Sequence, residues 1–171
     1  MDLRQILLLE RASGDTIEYT GKNGKRRISN GTWVDQLTGV IYRAENPNEI
    51  SEDVLDDTMK YGTAQKFTQL QIDHLISLQW ACEHGADQWS AEKRKLFATD
   101  ERLLVITLNR VNASKGNHGA DTWQPHTAEI ACWYNKKFLF GVSEYALDVS
   151  EEELRAYIEN QRTSCNAAAT N

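Results

Sequence analysis

Asp73 and His74 stand side by side in the apolar run Ile72-Asp73-His74-Leu75-Ile76-Ser77-Leu78, and Asn112-Ala113-Ser114-Lys115-Gly116 follows further along the chain. A carboxylate holds a divalent cation through oxygen, an imidazole takes a proton from water near neutral pH, and a later amide supplies a second oxygen ligand. Hydrolysis of a phosphodiester needs those parts. An isolated Asp-His pair says little, because a histidine between apolar neighbours more often packs or bonds a backbone carbonyl. Its combination with Asn112 and Lys115 is what points to chemistry.

Two strands and a helix would have to hold these groups. Ile72 to Leu78 predicts the first strand, on which Asp73 and His74 face opposite ways unless the strand bends. Leu103 to Thr107, apolar and partly β-branched, predicts a second strand paired with the first. Asn109 to Lys115 predicts a short helix closed by Gly116, with Asn112 and Lys115 on one face. Between them, Gln79 to His84 reads as a helix ending at Gly85, and Ser90 caps another that runs to about Phe97.

The flanking segments read less uniformly. Leu3 to Glu10 fits a helix or a strand equally. Thr16 to Thr20 and Arg26 to Ser29 flank Lys22-Asn23-Gly24-Lys25, where Asn-Gly suits a tight hairpin turn. Lys22, Lys25, Arg26 and Arg27 then form a basic tip, either a solvated turn or a phosphate-gripping finger. Asn46-Pro47-Asn48 reads as loop, residues 51–60 as a short acidic helix, and Gly62 to Gln69 as a polar approach to the site. Thr127 to Phe140 predicts a helix turning Ile130, Trp133, Tyr134 and Phe138 inward. Ser150 and Glu153 form a capping box for a last helix to about Gln161, and residues 167–171 read as a frayed tail.

The pattern resembles the HNH endonuclease family, in the subgroup whose first motif is Asp-His and whose last ligand is Asn. Gly31-Thr32-Trp33-Val34-Asp35 with Thr38-Gly39 resembles the family's lead-in. Gly85-Ala86, Trp89, Arg94 and Phe97-Ala98-Thr99-Asp100 resemble its linker, and Trp123-Gln124-Pro125, Cys132-Trp133-Tyr134 and Tyr145-Ala146-Leu147 continue the match. The likeness runs from about residue 31 to 165. It departs at Leu103, where relatives carry Asn, at Asn117, where they carry Asp, and at Val142 and Glu144, commonly basic.

The resemblance implies an α+β protein with a ββα-metal (His-Me finger) core over 70–118. A β-rich region with an acidic connector (1–69) precedes it, and a helical region (119–165) and tail (166–171) follow, all in one nuclease domain. It implies DNA as substrate, with RNA open, and a single Mg²⁺ or Mn²⁺ held by Asp73 and Asn112. His74 is then the general base, Lys115 the phosphate contact with Arg110 assisting, and the products 5′-phosphates. His118 and His126 read as surface or neighbouring imidazoles, and His84 as structural. The competing reading is an inactive nucleic-acid-binding or accessory module of a larger machine.

Length and charge set the remaining bounds. A chain of 171 residues buries a core without staples, and no apolar run approaches a membrane span. The net charge of −6 sits badly with a polyanionic substrate. Residues 45–57 and 144–153 hold eleven acids and no base, and outside them 19 bases face 14 acids. Those acidic faces read as turned away from DNA or toward a protein partner. Cys82, Cys132 and Cys165 lack metal-site spacing and read as incidental thiols, although the family likeness keeps a Cys132–Cys165 pair open. With no apolar leader core after Met1-Asp2-Leu3-Arg4, the expected location is the cytoplasm.

Overall fold

The computed structural model describes residues 3–12, 18–20, 26–28, 31–46, 49–53 and 70–170. The protein is mixed α+β, with three small sheets and six helices among the described residues. It divides into two compact units, one of Met1–Ile72 with Ile106–Ala113 and one of Asp73–Val105 with Ser114–Asn171. Among the described residues no helix is long and apolar enough to cross a membrane.

In the first unit, α1 (Leu3–Glu10) settles the open reading of that segment as a helix, with Leu7 and Leu8 buried. Strands β1 (Glu18–Thr20) and β2 (Arg26–Ile28) pair antiparallel with Thr20 opposite Arg26, as the Asn-Gly hairpin predicts. Residues 21–25 lie outside the described set. Strands β3 (Gly31–Val34), β4 (Ile41–Asn46) and β5 (Glu49–Asp53) form an antiparallel sheet in that order. The acidic helix expected from residue 51 is therefore corrected. Ser51, Glu52 and Asp53 are strand, opposite Arg43, Tyr42 and Ile41, so sheet pairing overrides the acidic pattern, while 54–60 lie outside the described residues.

Asp35 is the polar centre of this unit. Fully buried, it accepts hydrogen bonds from the Leu37 and Thr38 amides, the Thr107 hydroxyl and the Leu108 amide. Burial pushes its carboxyl up from the ordinary range, and these donors pull it back. The lead-in motif thus has a structural use. It ties the turn after β3 to the second half of β7 (Leu104–Leu108), whose five residues are all buried. Nearby, the Trp33 indole donates to the Leu8 carbonyl at 2.7 Å.

Strand β7 pairs with β6 (Leu70–His74), so the two expected strands do meet. β6 begins and ends earlier than predicted because Ser77 caps α2 (Leu78–Glu83), accepting from the Trp80 amide. A 3₁₀ turn (Ala86–Gln88), α3 (Ala91–Ala98) capped by Ser90, and a second 3₁₀ turn (Glu101–Leu103) lead to β7. The chain then passes directly into α4 (Asn109–Lys115), closed by Gly116 at φ +51°.

Two long helices cover the second unit. Helix α5 (Ala128–Tyr145) overruns its expected end at Phe140 because Gly141 does not terminate it. A Cβ there would stand 2.5 Å from Ile76 Cδ1 and 3.1 Å from Leu103, so the glycine permits close packing rather than a stop. Trp80, Tyr134, Phe138 and Tyr157 form the aromatic core, with Trp80 edge-on to Phe138 at 5.0 Å.

Helix α6 (Glu151–Ala168) starts with the predicted capping box of Ser150 and Glu153, but runs past Gln161 to Ala168, into the start of the expected tail. Its last turns are tied to α5 by a Cys132–Cys165 disulfide and by Asn135 donating to Ser164. This corrects the reading of those two cysteines as incidental thiols. Cys82 is free and exposed. Closing a loop of 33 residues is worth roughly 3–4 kcal/mol by chain entropy.

Glu153 links this helix start to α2. The His84 ring contacts the Trp80 carbonyl through Nδ1 at 2.7 Å and Glu153 Oε1 through Nε2 at 3.0 Å. The bond from His84, with those from Ser150, holds the Glu153 carboxyl down to about 2 from an ordinary 4.5. A depressed acid contributes stability above its unfolded value and loses it as pH falls through its folded one. Thermal melts of wild type and Glu153→Gln should therefore differ most at pH 5–6 and converge toward pH 2. A gap unchanged across that window would mean that the carboxylate's charge is not the stabilising feature.

Candidate functional site

Strand β6 puts Gln71 and Asp73, two residues apart, on one face, and α4 puts Asn112 and Lys115, three apart, on one face. Asp73, His74 and Lys115 belong to the second unit, and Gln71 and Asn112 to the first.

In the second unit, Asp73 is buried and Lys115 is wholly so, at 0% exposure. Lys115 Nζ stands 3.2 Å from Asp73 Oδ2 and donates to the His74 carbonyl at 3.0 Å. The carboxylate oxygen is close enough for an ion pair but accepts no hydrogen bond. Burial pushes the Asp73 carboxyl above its ordinary range even though the Lys115 charge pulls it down. The Tyr134 hydroxyl is likewise buried without a hydrogen-bond partner, and burial together with the Asp73 charge pushes it up.

The half-buried His74 ring is fixed by one contact, Nε2 to the carbonyl of Ala98 at 2.8 Å. A carbonyl only accepts, so Nε2 carries hydrogen, and in the neutral ring the lone pair is on Nδ1. Ala98 is the last residue of α3, whose terminal carbonyls have no partner within the helix. The helix end therefore selects the tautomer. No side-chain signal marks this carbonyl in the sequence, which is why only the Phe97-Ala98 match, and not its use, was visible there.

In the first unit, half-buried Asn112 donates from Nδ2 to Gln71 Oε1 at 3.0 Å. With the nitrogen so committed, the carbonyl oxygen is the atom Asn112 has to offer a hard cation. Arg110 is exposed on α4.

Other expected site residues are placed differently or not described. Lys115, expected against phosphate, has its ammonium inside the protein, because a buried cation needs the carboxylate and carbonyl it finds there. Lys22 and Lys25 lie outside the described residues, and Arg26 and Arg27 are described only as backbone in β2. On α3, Lys93 sits over Trp89 and donates to the Tyr145 carbonyl, and Arg94 donates to the Trp89 carbonyl. His118 and His126 are exposed. His84 is structural, stacked on Trp80 at 3.6 Å.

Among the described residues no three His, Cys, Asp or Glu side chains cluster as metal ligands. A cation at Asp73 would take one carboxylate together with neutral oxygens. The atom that would hold it is the buried Oδ2, which accepts no hydrogen bond of good geometry and has the Lys115 ammonium 3.2 Å away.

No protein-family model and no solved structure matches the chain. An uncharacterized secreted protein of the fungus Arthroderma benhamiae is 33% identical over 92 residues, which is 52% of this chain and 45% of that protein. The chain thus spans less than half the length of this relative. The cytoplasmic location expected from the sequence is overturned by two findings, the Cys132–Cys165 disulfide and the likeness to a secreted protein. Disulfides persist in oxidising surroundings outside the cytosol.

Proposed function

We propose that the chain is a metal-dependent endonuclease of the HNH type, working outside the cytoplasm, with β6, β7 and α4 as its ββα-metal core. The observation that carries this reading is the state of the Asp-His pair. His74 is held by the Ala98 carbonyl with Nδ1 left as the basic atom, beside a buried Asp73 oxygen that accepts no hydrogen bond.

His74 Nδ1 takes the proton of the attacking water, and the Ala98 carbonyl keeps the ring oriented as it gains charge. The water oxygen bonds to phosphorus, the bond to the 3′ oxygen breaks, and that oxygen is protonated from solvent, leaving 5′-phosphate and 3′-hydroxyl ends. Asp73 would hold a Mg²⁺ or Mn²⁺ ion through Oδ2, and the place of Asn112 beside it rests on the sequence resemblance. A divalent cation so bound would offset charge building on the phosphate and the leaving oxygen. Lys115 positions Asp73 and the His74 backbone rather than gripping phosphate. DNA binding would fall to exposed cations such as Arg110 and to the basic hairpin of Lys22, Lys25, Arg26 and Arg27.

The second reading, a non-catalytic nucleic-acid-binding or accessory module, draws on Lys115, a cation already neutralising Asp73. One assay separates the two. Supercoiled plasmid incubated with the oxidised protein and Mg²⁺ or Mn²⁺ should be nicked or linearised, EDTA should stop the reaction, and the new ends should be ligatable 5′-phosphates. Binding to the plasmid without any cleavage across both metals would favour the accessory module.

A further inference from the structure

The contact between Asn112 and Gln71 assigns a role to a residue outside the motifs. An asparagine amide presents oxygen on one side and NH₂ on the other, and only the oxygen can ligate a hard cation. Asn112 Nδ2 is engaged with Gln71 Oε1 at 3.0 Å, across the first unit between α4 and β6. Both side chains are half-buried, so the bond exchanges against few waters. We infer that Gln71 is a positioning residue that fixes the rotation of the Asn112 amide by engaging its nitrogen, leaving the oxygen as the atom that can ligate a divalent cation. This rests on the nuclease reading above and refines it.

The mechanism is orientational. Without the acceptor on Gln71, the amide of Asn112 is free to turn and present NH₂ to the cation half of the time or more, with no change in ligand identity. Outer residues that orient metal ligands typically change affinity by about ten- to a hundredfold when removed. An acceptor alone is required of position 71. Glutamate supplies one and methionine does not, although the two are of similar length. Gln71→Glu should therefore keep the orientation and Gln71→Met should lose it.

The first measurement is Mn²⁺ affinity by calorimetry on the full-length, oxidised protein. Gln71→Met should bind about tenfold more weakly or worse, and Gln71→Glu as tightly as wild type or tighter. The second is the Asn112 side-chain amide signal in metal-free protein, read in ¹⁵N-labelled spectra assigned with an Asn112→Asp variant. Its hydrogen-bonded proton should be slow to exchange in wild type and Gln71→Glu and fast in Gln71→Met. Unaltered exchange in Gln71→Met, or no recovery of affinity in Gln71→Glu relative to Gln71→Met, would overturn the role. Wild type binding Mn²⁺ alongside an unweakened Gln71→Met removes the role of Gln71 alone. Wild type that neither binds Mn²⁺ nor cleaves DNA removes the nuclease reading and this role with it. Circular dichroism of each variant shows whether the fold is retained.

Discussion

His74→Ala is expected to lower plasmid cleavage by about 10²–10⁴-fold, the usual contribution of a positioned general base, while leaving Mn²⁺ binding and the melting temperature nearly unchanged. The expectation follows from what the ring touches. Its side-chain hydrogen bond runs from Nε2 to the Ala98 carbonyl, so its removal costs about 1 kcal/mol and leaves the helix-end carbonyl to water. The ring is half-buried, so little apolar packing is lost with it. Catalysis, by contrast, loses the one basic atom assigned to deprotonate water. Initial rates on supercoiled plasmid and Mn²⁺ calorimetry measured on the same preparation test this. A variant that failed to bind Mn²⁺ yet cleaved at wild-type rate in excess metal would make His74 a ligand and not a base.

What the sequence disclosed of this arrangement follows from which interactions are local. Ser90, Ser150 and Gly116 announce helix ends because a cap bonds within its own turn. The continuation of α5 past Phe140 has the converse reason, because Gly141 lets Ile76 and Leu103, remote in sequence, pack close to the helix. The strand at Ser51–Asp53 depends on β4 beside it, and the length of α6 on Cys132 thirty-three positions away. The Asp-His pair was visible as chemistry. The Ala98 carbonyl and the Gln71 acceptor were not, since one is backbone and the other an unremarkable polar residue two places before Asp73. The burial of Lys115 ran against the strongest prior of all, because lysine is almost never fully enclosed unless paired.

That burial gives Lys115→Met the largest expected effect on stability. The methionine fills most of the same volume, so the change isolates charge from packing. It leaves Asp73 buried beside no cation, and breaking a buried ion pair from one side costs about 3–5 kcal/mol. It also removes the donor to the His74 carbonyl. Asp73 already has its carboxyl pushed up by burial, with the Lys115 charge opposing. Without that charge the value rises further. An acid whose folded value lies above its unfolded one contributes stability below the unfolded value, near 3.8, and loses it as pH rises through the folded value. Lys115→Met should therefore be least stable relative to wild type at neutral pH and recover on acidification, in the same direction as Glu153→Gln but from a different cause, protonation of the variant's unpaired Asp73 rather than loss of a wild-type contribution. Denaturant melts at pH 7 and pH 4 separate the cases when Asp73→Asn is added. The double variant Asp73→Asn/Lys115→Met carries no charge at this buried pair and should regain most of the lost stability at pH 7, with its pH dependence at this site gone. A double variant no more stable than Lys115→Met would mean that Lys115 supports the fold through the His74 carbonyl, and that the Asp73 pairing contributes little.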